Sequence, residues 1–332
     1  MRFPTLILLI VSLCGFSLPG KATEDLMERP DVRTFIRDMG RKHRFSALEL
    51  DKVFRGVTIQ DKILEAMAKP YEAKPWHAYR KLFLTETRIQ SGVDFWSRNT
   101  AALAATARKY GVPAEVIVAI IGIETTYGQS PGKYRVIDAL STLAFAYPKR
   151  AEFFRRELEE FLVLCREESM NPTHPMGSYA GAMGLPQFMP SSYRRYAVDG
   201  DGDRRRDIWN NPADAIASVA SYFAANGWQA GEPVAFPATV RGTAHEQLAS
   251  TNVKPAHTVR EWLSLGVDSG ASLPAHVKAA LVRLDEEAGP AYWLGLHNFY
   301  VITRYNHSPL YAMAAHELSR QLVSRRSADG SF

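Results

Sequence analysis

Residues 114–127 constrain what this chain can fold into more than any other stretch. Val116, Ile117, Val118, Ile120, Ile121 and Ile123 place apolar groups on nearly every side of a helix, so other elements must enclose it. Gly111-Val112-Pro113 breaks the chain before it, with Pro113 suited to its first turn, and Gly128 ends it. One residue does not belong. Glu124 follows Ile121, Ile120, Ile117 and Val116 by three, four, seven and eight positions and shares their face. A buried carboxylate escapes its desolvation cost by a raised pKa, and the negative end of the helix dipole pushes the same way. A carboxylic acid kept protonated is what a glycosidase uses on a leaving oxygen. A structural ion pair with an arginine such as Arg150, or a surface Glu at the helix end, fits the position equally well.

Glycoside hydrolysis usually needs a second carboxylate. Glu115 lies nine residues earlier, about half a turn round the same helix, and Asp138 belongs to the next element. Without a partner, a one-acid mechanism is required, with the substrate supplying the nucleophile. Other chemistries are excluded more simply: His245-Glu246-Gln247-Leu248-Ala249 lacks the second His of a zinc protease, and no Gly-x-Ser-x-Gly elbow or phosphate-binding loop occurs.

The rest of the chain reads as mostly α, formally α+β. Helices are expected over residues 99–110, 138–147, 150–168, 213–226 and 311–323, with a frayed tail from Arg325. Residues 231–284 are rich in Pro, Thr, Val and Gly, with short alternating runs at 234–236 and 238–241 that predict a small strand-containing insertion. Met1-Arg2 and the apolar residues 6–18 read as a signal peptide, too short for the ~20 residues of a membrane span, with a cleavage site at Gly20-Lys21-Ala22. Val11-Ser12-Leu13-Cys14 also fits a bacterial lipoprotein box, although Leu13 departs from the small residue preferred there. The only other cysteine is Cys165, so the mature chain has no internal disulfide, and its apolar helical setting suits packing rather than nucleophilic chemistry. A net charge of +5 is a dilute attraction to an anionic polymer. No basic aromatic stripe accompanies it, so no nucleic-acid partner is expected.

Two further segments change the weighing of Glu124. Gly122-Ile123-Glu124-Thr125-Thr126-Tyr127-Gly128, followed by Ser178-Tyr179-Ala180-Gly181-Ala182-Met183-Gly184-Leu185-Pro186-Gln187-Phe188-Met189-Pro190, resembles the lytic murein transglycosylases of the membrane-bound B type. The likeness extends through Tyr147-Pro148-Lys149-Arg150-Ala151-Glu152, residues 215–228, and Phe299-Tyr300-Val301-Ile302-Thr303-Arg304-Tyr305-Asn306-His307-Ser308. It implies a lysozyme-like catalytic core acting on peptidoglycan glycan strands between N-acetylmuramic acid and N-acetylglucosamine. Glu124 would serve as acid and then base, giving a 1,6-anhydromuramoyl end with no catalytic cofactor; the alternatives are a hydrolytic muramidase of the same fold, which would need a second carboxylate to position water, and a non-catalytic peptidoglycan-binding protein. Ser178, Gln187, Tyr305, Asn306 and Tyr311 would line the saccharide cleft, with Tyr79, Arg150 and Tyr222 as further candidates. Tyr79 and Tyr222 also fit core aromatics.

On this reading the chain divides into a signal peptide at 1–22, a helical domain at 23–100 and the catalytic core at 101–228. A β-containing domain at 229–285, a returning segment at 286–324 and a tail at 325–332 follow. The expected location is the periplasm, soluble, or anchored to the outer membrane if Cys14 is acylated, and the resemblance implies proteins of cell-wall synthesis or remodelling as partners. Residues 199–207 begin like an EF-hand loop, with Asp199, Asp201 and Asp203 at positions 1, 3 and 5. Arg204 stands where glycine is usual and Asn210 where a bidentate Glu is usual. The resemblance implies structural calcium here with a later Asp, matched by Asp214; a solvated Asp-Gly turn fits as well.

Overall fold

The structure, a computed structural model, describes residues 26–68, 74–248 and 253–328. The leader, its cleavage site and Cys14 lie outside the described residues. The described residues form two compact units, which divide between residues 55 and 56.

In the first unit α1 (Pro30–His43) and α2 (Ala47–Phe54) follow a short 3-10 turn. Ser46 and Glu49 form a capping box at the start of α2, each satisfying a backbone N–H that the helix leaves free. Phe35 and Phe54 meet edge to face at 6.0 Å, closing a small apolar layer.

The second unit opens with α3 (Asp61–Met67), α4 (Trp76–Arg80), α5 (Glu86–Arg98) and α6 (Thr100–Tyr110). The apolar helix α7 (Ala114–Thr125) comes next, capped by Pro113. Every residue from Val116 to Ile123 is buried, which is why this segment becomes the axis of the unit. After it come β1 (Tyr134–Arg135), α8 (Val136–Ala146), α9 (Ala151–Glu167), β2 (Met176–Gly177), α10 (Pro190–Tyr196) and α11 (Pro212–Ala225). Glu157 of α9 ties α10 down by accepting from the Ser191 N–H at 2.9 Å and hydroxyl at 2.7 Å. Cys165 is buried in α9, where desolvation pushes its thiol up to about 12, as a packing role requires.

The insertion holds β3 (Ala235–Val240), β4 (His257–Thr258), α12 (Val259–Ser264), β5 (Val267–Asp268), β6 (Lys278–Glu286) and β7 (Gly289–Gly295). They pair antiparallel in the order β4-β6-β7-β3-β5. Strand β7 carries this sheet past residue 285, the expected edge of the insertion. Its alternation is masked by Pro290 and the run Tyr292-Trp293-Leu294, but it pairs with both β6 and β3.

The chain then returns through α13 (His297–Tyr305) to α14 (Pro309–Ala328), which packs on α7 and α5. The expected fraying from Arg325 is not seen, because Arg325 pairs with Glu86 at 2.5 Å and the Arg326 guanidinium lies 4.7 Å over Trp96. No helix among the described residues is long and apolar enough to cross a membrane.

The contact between α5 and α7 depends on two glycines. A Cβ at Gly92 would stand 2.3 Å from the Tyr127 hydroxyl oxygen and 2.5 Å from Leu322 Cδ2, and one at Gly122 would stand 2.4 Å from the same hydroxyl. Gly92→Ala is therefore expected to lower unfolding free energy by about 1–3 kcal/mol, read from urea denaturation.

Candidate active site

Glu124 occupies the last turn of α7, and the backbone after it is unusual. Thr126 and Tyr127 both adopt left-handed conformations, φ 50° and 58°, before Gly128 at 88°. Such geometry costs roughly 1–3 kcal/mol for each non-glycine residue, so the surroundings must impose it. The buried Thr125 hydroxyl donates to the Leu185 carbonyl at 3.1 Å and accepts from the Gly128 N–H at 3.0 Å. Arg88 donates to the Thr126 hydroxyl at 3.0 Å, and the Tyr127 ring stacks on Phe95 at 5.5 Å. The helix end is thereby joined to the loop that carries Gln187. Thr125, Thr126 and Arg88 escape sequence reasoning; the two adjacent threonines are the available signal, since Thr hydroxyls favour helix ends over interiors.

Glu124 keeps a partly accessible edge, while protein packs around the rest of its carboxyl. Tyr311, in the first turn of α14, donates to its Oε1 at 2.6 Å. Desolvation raises the carboxyl, the Tyr311 hydrogen bond opposes it in part, and the result is about 7. Among the described residues no ion pair reaches Glu124, and no second carboxyl contributes to its shift. Arg150, the alternative partner, is instead exposed, its guanidinium 4.4 Å over Phe153 and 5.3 Å over Phe154. Asp138 is held by Arg135 at 2.7 and 2.9 Å and by the Thr58 N–H at 3.2 Å, so it secures the fold. Glu115 lines a different depression, with Trp228 and Glu232.

A ladder of tyrosines backs the carboxyl. Tyr305 lies parallel to Tyr311 at 6.4 Å and 8°, and its hydroxyl donates to the Pro186 carbonyl at 2.6 Å. Tyr222 meets Tyr305 edge-on at 4.8 Å and donates to the Arg304 carbonyl at 2.5 Å; burial pushes its phenol up to about 12. Tyr79 is a core aromatic stacked on Trp76 at 6.3 Å, close enough to Tyr311 to raise that phenol further. Ser178 and Gln187 sit on one doubled-back segment, closed by bridges from Gly177 to Met183 and from Met183 to Phe188. Gln187 adopts φ 51° and donates to the carbonyls of Pro131 at 3.1 Å and Gly184 at 3.0 Å. The Ser178 hydroxyl oxygen accepts from the N–H groups of Ala180 and Ala182 at 3.3 and 3.1 Å. Asn306 accepts from the Ser308 N–H at 3.0 Å, shaping the entry to α14. The structure thus gathers Glu124, Tyr311, Tyr305, Tyr222 and the Gln187 loop, and leaves Arg150 on its own aromatic pair.

With this geometry in view, residues 27–320 match the family described as Transglycosylase SLT domain. The chain belongs to the lytic transglycosylases. It is 42% identical over 312 residues to membrane-bound lytic murein transglycosylase B of Escherichia coli strain K12, covering 91% of this chain and 85% of the relative. The crystal structure of the Escherichia coli lytic transglycosylase Slt35 in complex with calcium superposes with a TM-score of 0.85 at 42% identity, over 91% of this chain and 96% of that one. SltB3 of Pseudomonas aeruginosa, in complex with NAG-NAM-pentapeptide, matches with a TM-score of 0.79 at 33% identity, over 90% and 80%. The fold is accordingly that of a lysozyme-like glycosidic-bond lyase.

The acidic loop of this lytic transglycosylase brings oxygens of Asp199, Asp201 and Asp203 within 4.8 Å of one another. Three carboxylates suit a hard cation. Arg204 occupies the glycine position yet adopts φ 70°, so the turn is kept despite the residue. Asp214 is not in that group: it is buried, and its two oxygens accept from the Gly200 and Asp207 N–H groups at 2.7 Å each, joining the ends of the loop.

The raised carboxyl has a thermodynamic consequence. A folded value near 7 against 4.5 for the free group means that stability present below pH 4.5 is lost as pH rises through 7, by up to about 3 kcal/mol. Glu124→Gln should therefore exceed the parent in unfolding free energy at pH 8, and the two should converge near pH 4.

Proposed function

We propose that this enzyme cleaves the β-1,4 bond between N-acetylmuramic acid and N-acetylglucosamine in peptidoglycan without water, leaving a 1,6-anhydromuramoyl end. The observation that carries this is Glu124, a carboxyl held at about 7 with no second carboxyl acting on it among the described residues. The relatives named for murein and for a NAG-NAM-pentapeptide complex support the substrate class.

The steps follow from one group that can both give and take a proton. Near neutral pH a large fraction of Glu124 is protonated, and it donates to the glycosidic oxygen as the C1–O bond breaks. The acetamido oxygen of the muramoyl residue stabilises the positive charge at C1. Glu124, now a carboxylate held by the Tyr311 hydroxyl, takes the proton of the sugar's 6-hydroxyl as that oxygen bonds to C1. The carboxyl is regenerated and no water is consumed. The Tyr311 bond favours the ionised state, and burial favours the neutral one, so neither state is trapped. Ser178, Gln187, Tyr305 and Asn306 line the saccharide cleft, Tyr222 and Tyr79 support the ladder behind it, and Arg150 contacts the strand at the periphery. The enzyme acts in the periplasm, free or tethered through Cys14.

Asp199, Asp201 and Asp203 hold a structural calcium ion, and Asp214 organises the loop around it. The calcium complex of Slt35 supports this reading. Chelation with EGTA should lower the melting temperature of the parent and leave an Asp199→Asn/Asp201→Asn variant unmoved.

The decisive assay is mass spectrometry of digested sacculi. Muropeptide ends lighter by one water than reducing ends are expected from the parent, and reducing ends would overturn the assignment. Glu124→Gln should lose at least about 10³-fold in rate while remaining folded.

A further inference from the structure

Helix α7 ends in a motif that ordinarily calls for glycine. The Thr126 N–H donates to the Gly122 carbonyl at 3.1 Å and the Tyr127 N–H to the Ile121 carbonyl at 3.4 Å, the paired bonds of a helix that turns back through a left-handed residue. Glycine takes that conformation without strain; here the residue is Thr126, β-branched, at φ 50°. Local preference opposes the geometry, so a contact from another element must hold it. That contact is Arg88, in the first turn of α5. Its guanidinium donates through Nη2 to the Thr126 hydroxyl at 3.0 Å and through Nη1 to the Leu82 carbonyl.

Arginine is a costly means of holding a helix end. Arg88 is half-buried, desolvation lowers its pKa, and its Nε is buried with no hydrogen-bond partner. Among the described residues no carboxylate pairs with it, and both groups that accept from it are neutral. Its position accounts for the expense. The guanidinium lies 5.4 Å over the Phe83 ring, Phe83 packs at 5.1 Å on Tyr79, and Tyr79 is close enough to Tyr311 to raise that phenol. Arg88 therefore meets both supports of the Glu124–Tyr311 hydrogen bond: the helix exit two residues after Glu124, and the aromatic layer next to Tyr311. Release of Thr126 from its left-handed conformation would undo the turn from Ile121 to Tyr127 that contains Glu124, and would draw Tyr127 out of the notch made by Gly92 and Gly122. We propose that Arg88 is a positioning residue for the reaction: by holding Thr126 left-handed it keeps the Glu124 carboxyl in register with Tyr311, without touching the substrate. This rests on the reading of Glu124 as the acid and base.

The test is a double-mutant cycle on sacculi, with anhydro and reducing ends counted together, at a temperature at which circular dichroism shows each variant folded. Arg88→Ala should lower kcat about ten-fold and leave KM within about two-fold of the parent, because a small displacement of the reacting group slows chemistry while the substrate contacts persist. In a Thr126→Gly background, where the left-handed backbone needs no outside support, the same change should cost less than about two-fold. A parent-like kcat for Arg88→Ala, an equal loss in both backgrounds, or a loss carried by KM would each overturn the proposal. Should Arg88→Ala fail to fold, Thr126→Val removes the same hydrogen bond from its other side; a ten-fold fall in kcat is again expected, and a parent-like kcat overturns the proposal. Glu124→Gln, run alongside, tells two failures apart. Activity retained in that variant overturns the Glu124 reading and this proposal with it, whereas activity lost there and unaffected in Arg88→Ala overturns this proposal alone.

Discussion

Desolvation of one carboxyl group is the constraint on which the rest of this molecule depends. Glu124 is carried on a helix in which every residue from Val116 to Ile123 is aliphatic or glycine and buried, so the turn that precedes it offers no exposed face on which a charge could rest. The fold holds a group at about 7 that in water would be ionised well below neutrality. Everything close to it serves either to maintain that desolvation or to keep the carboxyl in one place. The tyrosine ladder supplies bulk without charge, and Tyr311 supplies a single directed donor. The left-handed exit at Thr126 and Tyr127 is a strained conformation, stabilised by Arg88, Thr125 and Phe95 rather than by its own preference.

The placement of charge elsewhere is consistent with that arrangement. The carboxylates Asp138, Glu157 and Asp214 are each tied to backbone N–H groups or an arginine and hold elements together. None of them adds its charge to Glu124. A single titrating group with a partly accessible edge suits the proposed reaction, which would return its catalyst to the protonated state and, by closing an internal ether, would need no second carboxylate to position water. The small antiparallel sheet and α14 matter to this chiefly because the chain, after the insertion, returns to deliver Tyr305 and Tyr311.

The sequence made α7, its breaks and the oddity of Glu124 legible because a continuous aliphatic pattern has only one economical solution. The strand-rich insertion was visible in composition, while its far edge at β7 was not, since Tyr292 and Trp293 obscure the alternation that marks a half-buried strand. The persistence of α14 beyond Arg325 depends on Glu86 and Trp96, more than two hundred residues away, and local propensity carries no trace of them. Of the candidate site residues, Tyr305, Tyr311, Ser178 and Gln187 carry no local signal and stand out only by family likeness. The clamp formed by Thr125, Thr126 and Arg88 is not legible in the sequence, because left-handed threonine is imposed by tertiary contacts. An ion pair between Arg150 and Glu124 suits the sequence, but the Arg150 guanidinium rests on two phenylalanine rings.

The central claim concerns the protonation of one side chain, and it is measured most directly by a pH titration of the Glu124 carboxyl carbon in protein labelled with ¹³C at glutamate side chains, assigned by comparison with Glu124→Gln. The account predicts one glutamate resonance titrating near 7, absent from the variant. A Glu124 signal that titrates near 4.5 would contradict it.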